Sequence, residues 1–315
     1  MPAYPTPATP TPDKPLRLGT RRSPLAMAQA EETKARLLAA HGWDADAVEL
    51  VPVTASGDRI QDRPLAEIGG KALWTRELDG WLVENRIDAS VHSMKDVETV
   101  RPATIAIAAM LPRADVRDRL IGAATPADLP AGATLGTSSP RRRAQMLRHR
   151  PDLTVVLLRG NVETRLAKLA AGEVDATLLA AAGLDRLGQS DIGHAIDDLL
   201  PAPAQGAVGI EVRAEDKAAC RIVDAIDHKP TWRCVMAERA LLAALGADCH
   251  SPVAALAQIE DDRLTIRAEL LAEDGSDHIT GGIASEGDDD AAAEALARDL
   301  LACAPRAVAR LFAGP

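Results

Sequence analysis

The sequence predicts an α/β protein of two similar lobes, followed by a small α+β domain with a three-stranded antiparallel sheet. Three observations predict it. Apolar strand-like runs alternate with helical stretches from residue 16 to about residue 186, the pattern of a parallel sheet covered by helices. A segment then repeats: LGTRRSPLAMAQ at 18–29 is echoed by LGTSSPRRRAQM at 135–146. In both, a strand ends in Leu-Gly-Thr, a Ser-Pro pair caps the next helix, and Ala-Gln falls at the same distance beyond the proline. Two lobes facing each other across a cleft is the simplest physical meaning of that echo. Finally, three strand-like runs at 253–259, 264–271 and 278–283 are joined by Asp-Asp and Asp-Gly turns and followed by an amphipathic helix.

In order, residues 16–20 read as a strand. Ser23 is a good N-cap and Pro24 suits the first helical position of a helix to about Ala40. Strand 48–53 precedes a polar, glycine-bearing stretch at 54–70, long enough for a lid or binding loop. A helix at 73–85, a strand from Ile87 and a strand at 104–111 complete the first unit. The second begins with strand 133–137, a helix at 141–149 capped by Ser138-Ser139-Pro140, and strand 153–158. A helix to about Ala171, strand 175–181 and a helical piece after Gly183 follow. Strand 205–213, helix 217–226, a helix at 232–245 stopped by Gly246 and a closing helix at 291–312 finish the chain.

Aromatic residues make up only 2% of the chain, so Ala, Leu and Val must fill the core. A net charge of −10 argues against a broad basic face for nucleic acid and makes any local arginine cluster more informative. No apolar run approaches membrane-helix length, and the Pro/Thr-rich start lacks the charge and apolar segment of a signal peptide. Four cysteines at 220, 234, 249 and 303 form neither a CxxC pair nor a disulfide framework, which points to a reducing cytoplasm.

Three groups of residues could carry chemistry. Residues 87–97 (IDASVHSMKDV) begin as a buried strand and turn polar where the strand should end. Ligands of open α/β sheets bind beyond the carboxyl ends of strands, so Asp96 could steady a developing cation or shuttle a proton there. His92 reads as a structural histidine. Arginines gather at the same kind of position: Arg21 and Arg22, then Arg141, Arg142 and Arg143, at helix N-termini, and Arg159 and Arg165 around the next strand end. One such arginine is usually a solvated helix face. Several at successive strand mouths in an acidic protein predict a cleft for a polyanionic ligand. No GxxxxGK[ST] loop is present, which disfavours nucleotide phosphates. Cys249 lies in a polar loop, GADCHSP, and stays open to three readings: an incidental thiol, a covalent attachment point or nucleophile, or a metal ligand with His250.

Six ordered motifs then resemble one family closely: HSMKD at 92–96, GTSSPRRR at 136–143, LRGNVETRL at 158–166, AAAGLDRLG at 180–188, PAQGAVGIE at 203–211 and AERALLAALGADCHSPVA at 237–254. They are similar to those of the porphobilinogen deaminase (hydroxymethylbilane synthase) family. The resemblance implies two periplasmic-binding-protein-like lobes and a third domain carrying the cysteine loop. It implies a monomeric cytoplasmic enzyme of tetrapyrrole biosynthesis, with porphobilinogen as substrate and no nucleic-acid, membrane or metal partner. Four porphobilinogen molecules are condensed with loss of ammonia on a dipyrromethane cofactor, and the linear product is released by hydrolysis. By the same resemblance, Cys249 holds the cofactor through a thioether and Asp96 is the catalytic aspartate. Ser23, Lys95, Thr137, Ser139, Arg141 and Arg142 match cofactor-side contacts, and Arg21, Arg159, Arg165, Arg186 and Gln205 match substrate-side positions. The 54–70 loop, with Asp58, matches a lid, and Lys71 and Trp74 lie just beyond it and are counted with it.

The implied domains are a Pro/Thr tail at 1–15, domain 1 at 16–112 plus 205–225, domain 2 at 113–204 and domain 3 at 226–315. Three departures from the family pattern matter: Asp248 where glycine usually precedes the cysteine, Trp74 in place of phenylalanine, and Glu67 in place of a lid lysine. The competing reading is a non-catalytic anion-binding protein of the same two-lobed shape. A loop cysteine has no purpose in it.

Overall fold

A computed structural model describes residues 10, 11, 13–54 and 75–312. These residues fall into two compact units. One holds residues up to 54, 75–113 and 207–232, and the other holds 114–206 and 233 onward.

The first unit is built on strands β1 (Leu16–Arg21), β2 (Val48–Val53), β3 (Ala89–Ser93), β4 (Ile105–Met110) and β10 (Val208–Arg213), in the spatial order β2-β1-β3-β10-β4. Helices α1 (Pro24–His41), α2 (Arg76–Val83) and α6 (Lys217–Asp224) belong to it. Helix α1 starts where the sequence predicts. The Ser23 hydroxyl accepts the Ala26 N–H at 3.3 Å, and Pro24 occupies the first turn, where no N–H is needed. The core is aliphatic, with Leu18, Leu37, Val91, Ile210 and Val212 almost wholly buried.

The second unit contains β5 (Asp118–Ile121), β6 (Thr134–Gly136), β7 (Thr154–Val156), β8 (Ala176–Ala180) and β9 (His194–Ile196), in the order β7-β6-β8-β5-β9. Its helices are α3 (Pro140–His149), α4 (Val162–Ala170) and α5 (Ala181–Arg186). The same unit carries most of α7 (Lys229–Leu245), the antiparallel sheet β11 (Val253–Glu260), β12 (Arg263–Leu271) and β13 (His278–Ala284), and helices α8 (Asp289–Cys303) and α9 (Arg306–Ala309). The C-terminal sheet packs Ala255, Ile266 and Leu270 against Leu241, Leu296 and Leu300.

The repeat in the sequence is a repeat in space. Strand β6 corresponds to β1, β7 to β2, β8 to β3, β5 to β10 and β9 to β4. The central pairings agree: β1 is parallel to β2 and β3, as β6 is to β7 and β8. The glycine of each Leu-Gly-Thr is fixed by close packing. A Cβ on Gly19 would lie 2.4 Å from Ile87 Cδ1, and one on Gly136 would lie 2.7 Å from Leu158 Cδ2.

The structure corrects four expectations. The sheets are mixed and not all parallel, because β10 and β5 each run antiparallel to both neighbours. Strands β5 and β9 are too short to show a period, and no strand is predicted from the sequence at either position. Strand β10 starts at Val208 and not at Gln205, which is buried in the turn before it. The last helix is two helices, broken where Ala304 turns extended ahead of Pro305.

Candidate active site

In the first unit, chemistry-bearing residues stand at strand ends. Arg21 closes β1 and is half-buried, with Ser23 capping α1 just beyond it. Strand β3 ends at Ser93, whose hydroxyl meets the Gln29 side-chain amide at 2.8 Å, and a single 3₁₀ turn follows over Met94–Asp96. The Met94 N–H is bonded to Ala207 O at 3.1 Å, and the Val97 N–H closes the turn onto Met94 O at 3.2 Å. Lys95 and Asp96, both half-buried, therefore lie just past the carboxyl end of a central strand. His92 is buried, with Nε2 3.0 Å from Ser90 Oγ and 3.3 Å from Glu211 Oε2, which fits the structural part predicted for it.

A buried ion cluster follows that turn. Arg101 bonds both oxygens of Glu211, at 2.8 and 2.9 Å, and Asp79 Oδ1 at 2.6 Å, and it is paired to Glu98. Burial would raise the Glu211 carboxyl, but the hydrogen bond from His92 and the charge of Arg101 pull it down to about 2. Burial raises Asp79 instead, although Arg101 opposes the rise. Nothing in the sequence reading singles out Arg101, Glu98, Asp79 or Glu211, because the cluster is assembled from residues far apart in the chain.

In the second unit, the corresponding strand ends carry the rest. Thr137 is buried after β6, and its hydroxyl accepts the Ser139 N–H at 3.1 Å. Ser139 in turn caps α3 through the Arg142 N–H at 3.4 Å. Beyond β7, Arg159 is only 7% exposed. Arg165 reaches back from α4, donating to Gly160 O at 2.9 Å and Ser138 Oγ at 3.3 Å. Gly160 sits at φ +118, and a Cβ there would meet the Thr164 side chain at 2.6 Å, so only glycine allows this turn. The structure thus gathers Thr137, Ser139 and Arg165 around the start of α3.

Arg141 and Arg142 are placed differently from a pair of open anion ligands. Both are buried and share Asp118, at 2.8 and 2.7 Å. Arg141 also donates to Gln145 Oε1 at 2.8 Å and Leu200 O at 3.0 Å, and Arg142 to Leu178 O at 2.9 Å. Gln205, fully buried, completes the ring by donating to Asp118 Oδ1 at 2.9 Å and Val116 O at 2.7 Å. Burial would raise the Asp118 carboxyl, yet the two guanidinium groups hold it well below the usual carboxylate range. Arg186 faces Gly206 O at 3.4 Å, on the same connecting peptide as Gln205. Asp118, missed because β5 was missed, organises the start of α3.

Both ion clusters make acid destabilising. Carboxylates whose folded pKa is depressed stabilise the fold above their unfolded pKa and lose that contribution as pH falls through the folded value. For Glu211, depressed from 4.5 to about 2, the contribution is on the order of 3 kcal/mol. Asp118 acts in the same direction, and the raised Asp79 opposes. Urea unfolding at pH 7, 4 and 3 is expected to show stability falling steeply below pH about 4.5. An unchanged midpoint at pH 3 would contradict these assignments.

Cys249 is exposed in the loop joining α7 to β11, within the second unit. Asp248 shapes this loop: its Oδ1 accepts the His250 N–H at 2.8 Å and its carbonyl accepts the Ser251 N–H at 3.1 Å. Asp248 is not among the residues with positive φ, so the usual glycine is not required here. Asp58, Glu67, Lys71 and Trp74 lie outside the described residues.

The donor set of this unit fits a dipyrromethane. It offers an exposed thiol for a thioether, and hydroxyl, helix-terminus and guanidinium donors for carboxylates. The Nε atoms of Arg141 and Arg142 are buried without a hydrogen-bond partner, leaving unused donors at the start of α3.

Residues 16–221 match the family model described as "Porphobilinogen deaminase, dipyromethane cofactor binding domain", and residues 232–302 match "Porphobilinogen deaminase, C-terminal domain". The porphobilinogen deaminase of Sphingopyxis alaskensis is 60% identical over 311 residues, covering 96% of this chain and 98% of that protein. The porphobilinogen deaminase of Paracoccus denitrificans is 50% identical over 275 residues, covering 86% and 88%. Among solved structures, the second substrate binding domain of a putative amino acid ABC transporter from Streptococcus pneumoniae shows 13% identity and a TM-score of 0.43, covering 74% of this chain and 95% of that one. The fold class rests on the two strand orders and not on that likeness. With two family models spanning nearly the whole described chain and relatives this similar, the chain belongs to the porphobilinogen deaminase family, transferases of tetrapyrrole biosynthesis that use a dipyrromethane cofactor.

Proposed function

We propose that this chain condenses four porphobilinogen molecules head to tail with loss of ammonia and hydrolyses off hydroxymethylbilane, using Asp96 as the catalytic carboxylate and Cys249 as the thioether attachment point. The observation that carries the reading is an exposed thiol on the same compact unit as hydroxyl and guanidinium groups gathered at the start of α3. When bound, the dipyrromethane supplies a nucleophilic pyrrole carbon on which the chain is started.

The chain's own residues do the rest. Arg21, Arg159 and Arg165 bind the acetate and propionate groups of substrate pyrroles, for which guanidinium forks are suited. Ser23, Lys95, Thr137 and Ser139 serve the cofactor side. Arg141 and Arg142 serve it mainly by fixing the start of α3, because Asp118 and backbone carbonyls already occupy most of their donors. Gln205 and Arg186 hold the connecting peptide near Gly206 in shape. The Asp96 carboxylate stabilises the positive charge left as ammonia departs and accepts the proton released from the acceptor pyrrole carbon. Asp58, Lys71 and Trp74 belong to a lid in the same reading. The enzyme works as a monomer in the cytoplasm, and among the described residues no helix is long and apolar enough to cross a membrane.

The test is turnover with porphobilinogen, read by ammonia release and intact mass. Wild type is expected to release ammonia in step with porphobilinogen consumed. Arg159→Ala and Arg165→Ala are expected to stall with partial chains attached, visible as a ladder of masses. A wild type that binds porphobilinogen without releasing ammonia would overturn the reading, and unfolding of both variants would make these arginines structural.

A further inference from the structure

The turn that carries Asp96 is held from both sides, and the two sides differ in kind. Its N-terminal side is fixed by the β-ladder: Ser93 pairs with Val208, and the Met94 N–H reaches Ala207 O at 3.1 Å. Its C-terminal side has no strand until Ile105. There Glu98, two residues beyond Asp96, fastens the chain to its surroundings. Thr75 Oγ1 donates to Glu98, 2.8 Å from Oε1 and 3.0 Å from Oε2, and Arg101 Nη1 is bonded to Oε2. Thr75 is fully buried at the start of α2, and Glu98 and Arg101 are 17% and 7% exposed. Arg101 is in turn bound to Asp79 on α2 and to Glu211 on β10. Glu98 thereby ties the catalytic turn to a helix and to a central strand through an arginine with three carboxylate partners.

We propose that Glu98, gripped by Thr75 and Arg101, is the positioning residue that sets where Asp96 stands. This rests on the assignment of Asp96 as the catalytic carboxylate. Glu98 reaches no reacting atom itself. It acts by tying a short turn, which eight residues without a strand follow, to the start of α2 and, through Arg101, to β10. Displacing a catalytic group by about 1 Å costs up to about a hundredfold in rate, whereas substrate carboxylates held elsewhere are unaffected. The signature is therefore a fall in kcat at nearly constant KM.

Glu98→Ala, Glu98→Gln and Thr75→Val should be measured beside wild type and Asp96→Asn, each as the full chain with its cofactor attached. Glu98→Ala is expected to lower kcat about ten- to a hundredfold with KM within about twofold. Glu98→Gln, which keeps the shape and can still accept from both Thr75 and Arg101, is expected to restore most of kcat. Thr75→Val, nearly isosteric, is expected to fall between them and covers the case in which Glu98→Ala does not fold. Wild-type kcat in Glu98→Ala, or in Thr75→Val if the former is unfolded, would overturn the proposal. A Glu98→Gln variant as slow as Glu98→Ala would overturn it too, since charge and not position would then be what matters. If Asp96→Asn itself turns over normally, the assignment of Asp96 fails; if only Glu98→Ala does, the positioning role alone fails.

Discussion

Cys249→Ala is expected to yield a folded protein that carries no covalent dipyrromethane and has no measurable turnover. The wild type should exceed its sequence mass by a dipyrromethane, and this variant should match its sequence mass. The side chain is exposed in a loop whose shape comes from Asp248 and Ser251, and removing the sulfur leaves those turn bonds in place. The other thiols are poor substitutes. Cys234 is buried, and burial pushes the Cys220 thiol up, which lowers its thiolate fraction at neutral pH. Cys303 is exposed near the C-terminus, so Cys303→Ala is the informative control and should keep both the extra mass and the activity. An unmodified yet active wild type, or extra mass surviving in Cys249→Ala, would sink the attachment assignment.

What was legible in the sequence was whatever local chemistry determines. Ser23 and Ser139 announce helix starts because a hydroxyl followed by proline is both a cap and a first turn, and both bonds are present. The Leu-Gly-Thr echo was readable as a repeat because each glycine lies where a side chain from a later strand or loop leaves no room for Cβ. Asp248 departs from the family's glycine at a position that has no positive φ and so does not need one. The structure spends its carboxylate on a turn instead.

What was illegible was set by long-range pairing. Strand β5 has four residues and its partner β9 three, too few for alternation to register, and the antiparallel insertion of β5 and β10 depends on how the chain returns. Missing β5 also hid Asp118, and with it the reason why Arg141 and Arg142 are buried. By their position at strand mouths alone, those arginines read like Arg159 and Arg165. Asp118, the buried carboxylate that holds Arg141 and Arg142, lies 23 residues away from Arg141. The break at Pro305 is a different case, since proline disfavours helix in the residue before it and the sequence carried that signal.

Asp96→Asn is expected to fold as wild type, to keep the cofactor, and to lose turnover by about a hundredfold or more. The substitution changes charge with almost no change in shape. Asp96 stands at the end of a 3₁₀ turn whose backbone bonds involve Met94, Val97 and Ala207, and the ion cluster downstream uses Glu98, Asp79 and Glu211. Stability should therefore be nearly unchanged. An amide can neither balance a developing cation nor take up a proton near neutral pH, so both parts assigned to this side chain vanish together. Asp96→Glu separates them from placement: the charge survives but is displaced by a methylene, and an intermediate rate is expected. Ammonia release and intact mass measured on the same samples give the decisive reading. Near-wild-type ammonia release by Asp96→Asn would remove Asp96 from the mechanism. A variant lacking the cofactor mass would move its part from elongation to cofactor assembly.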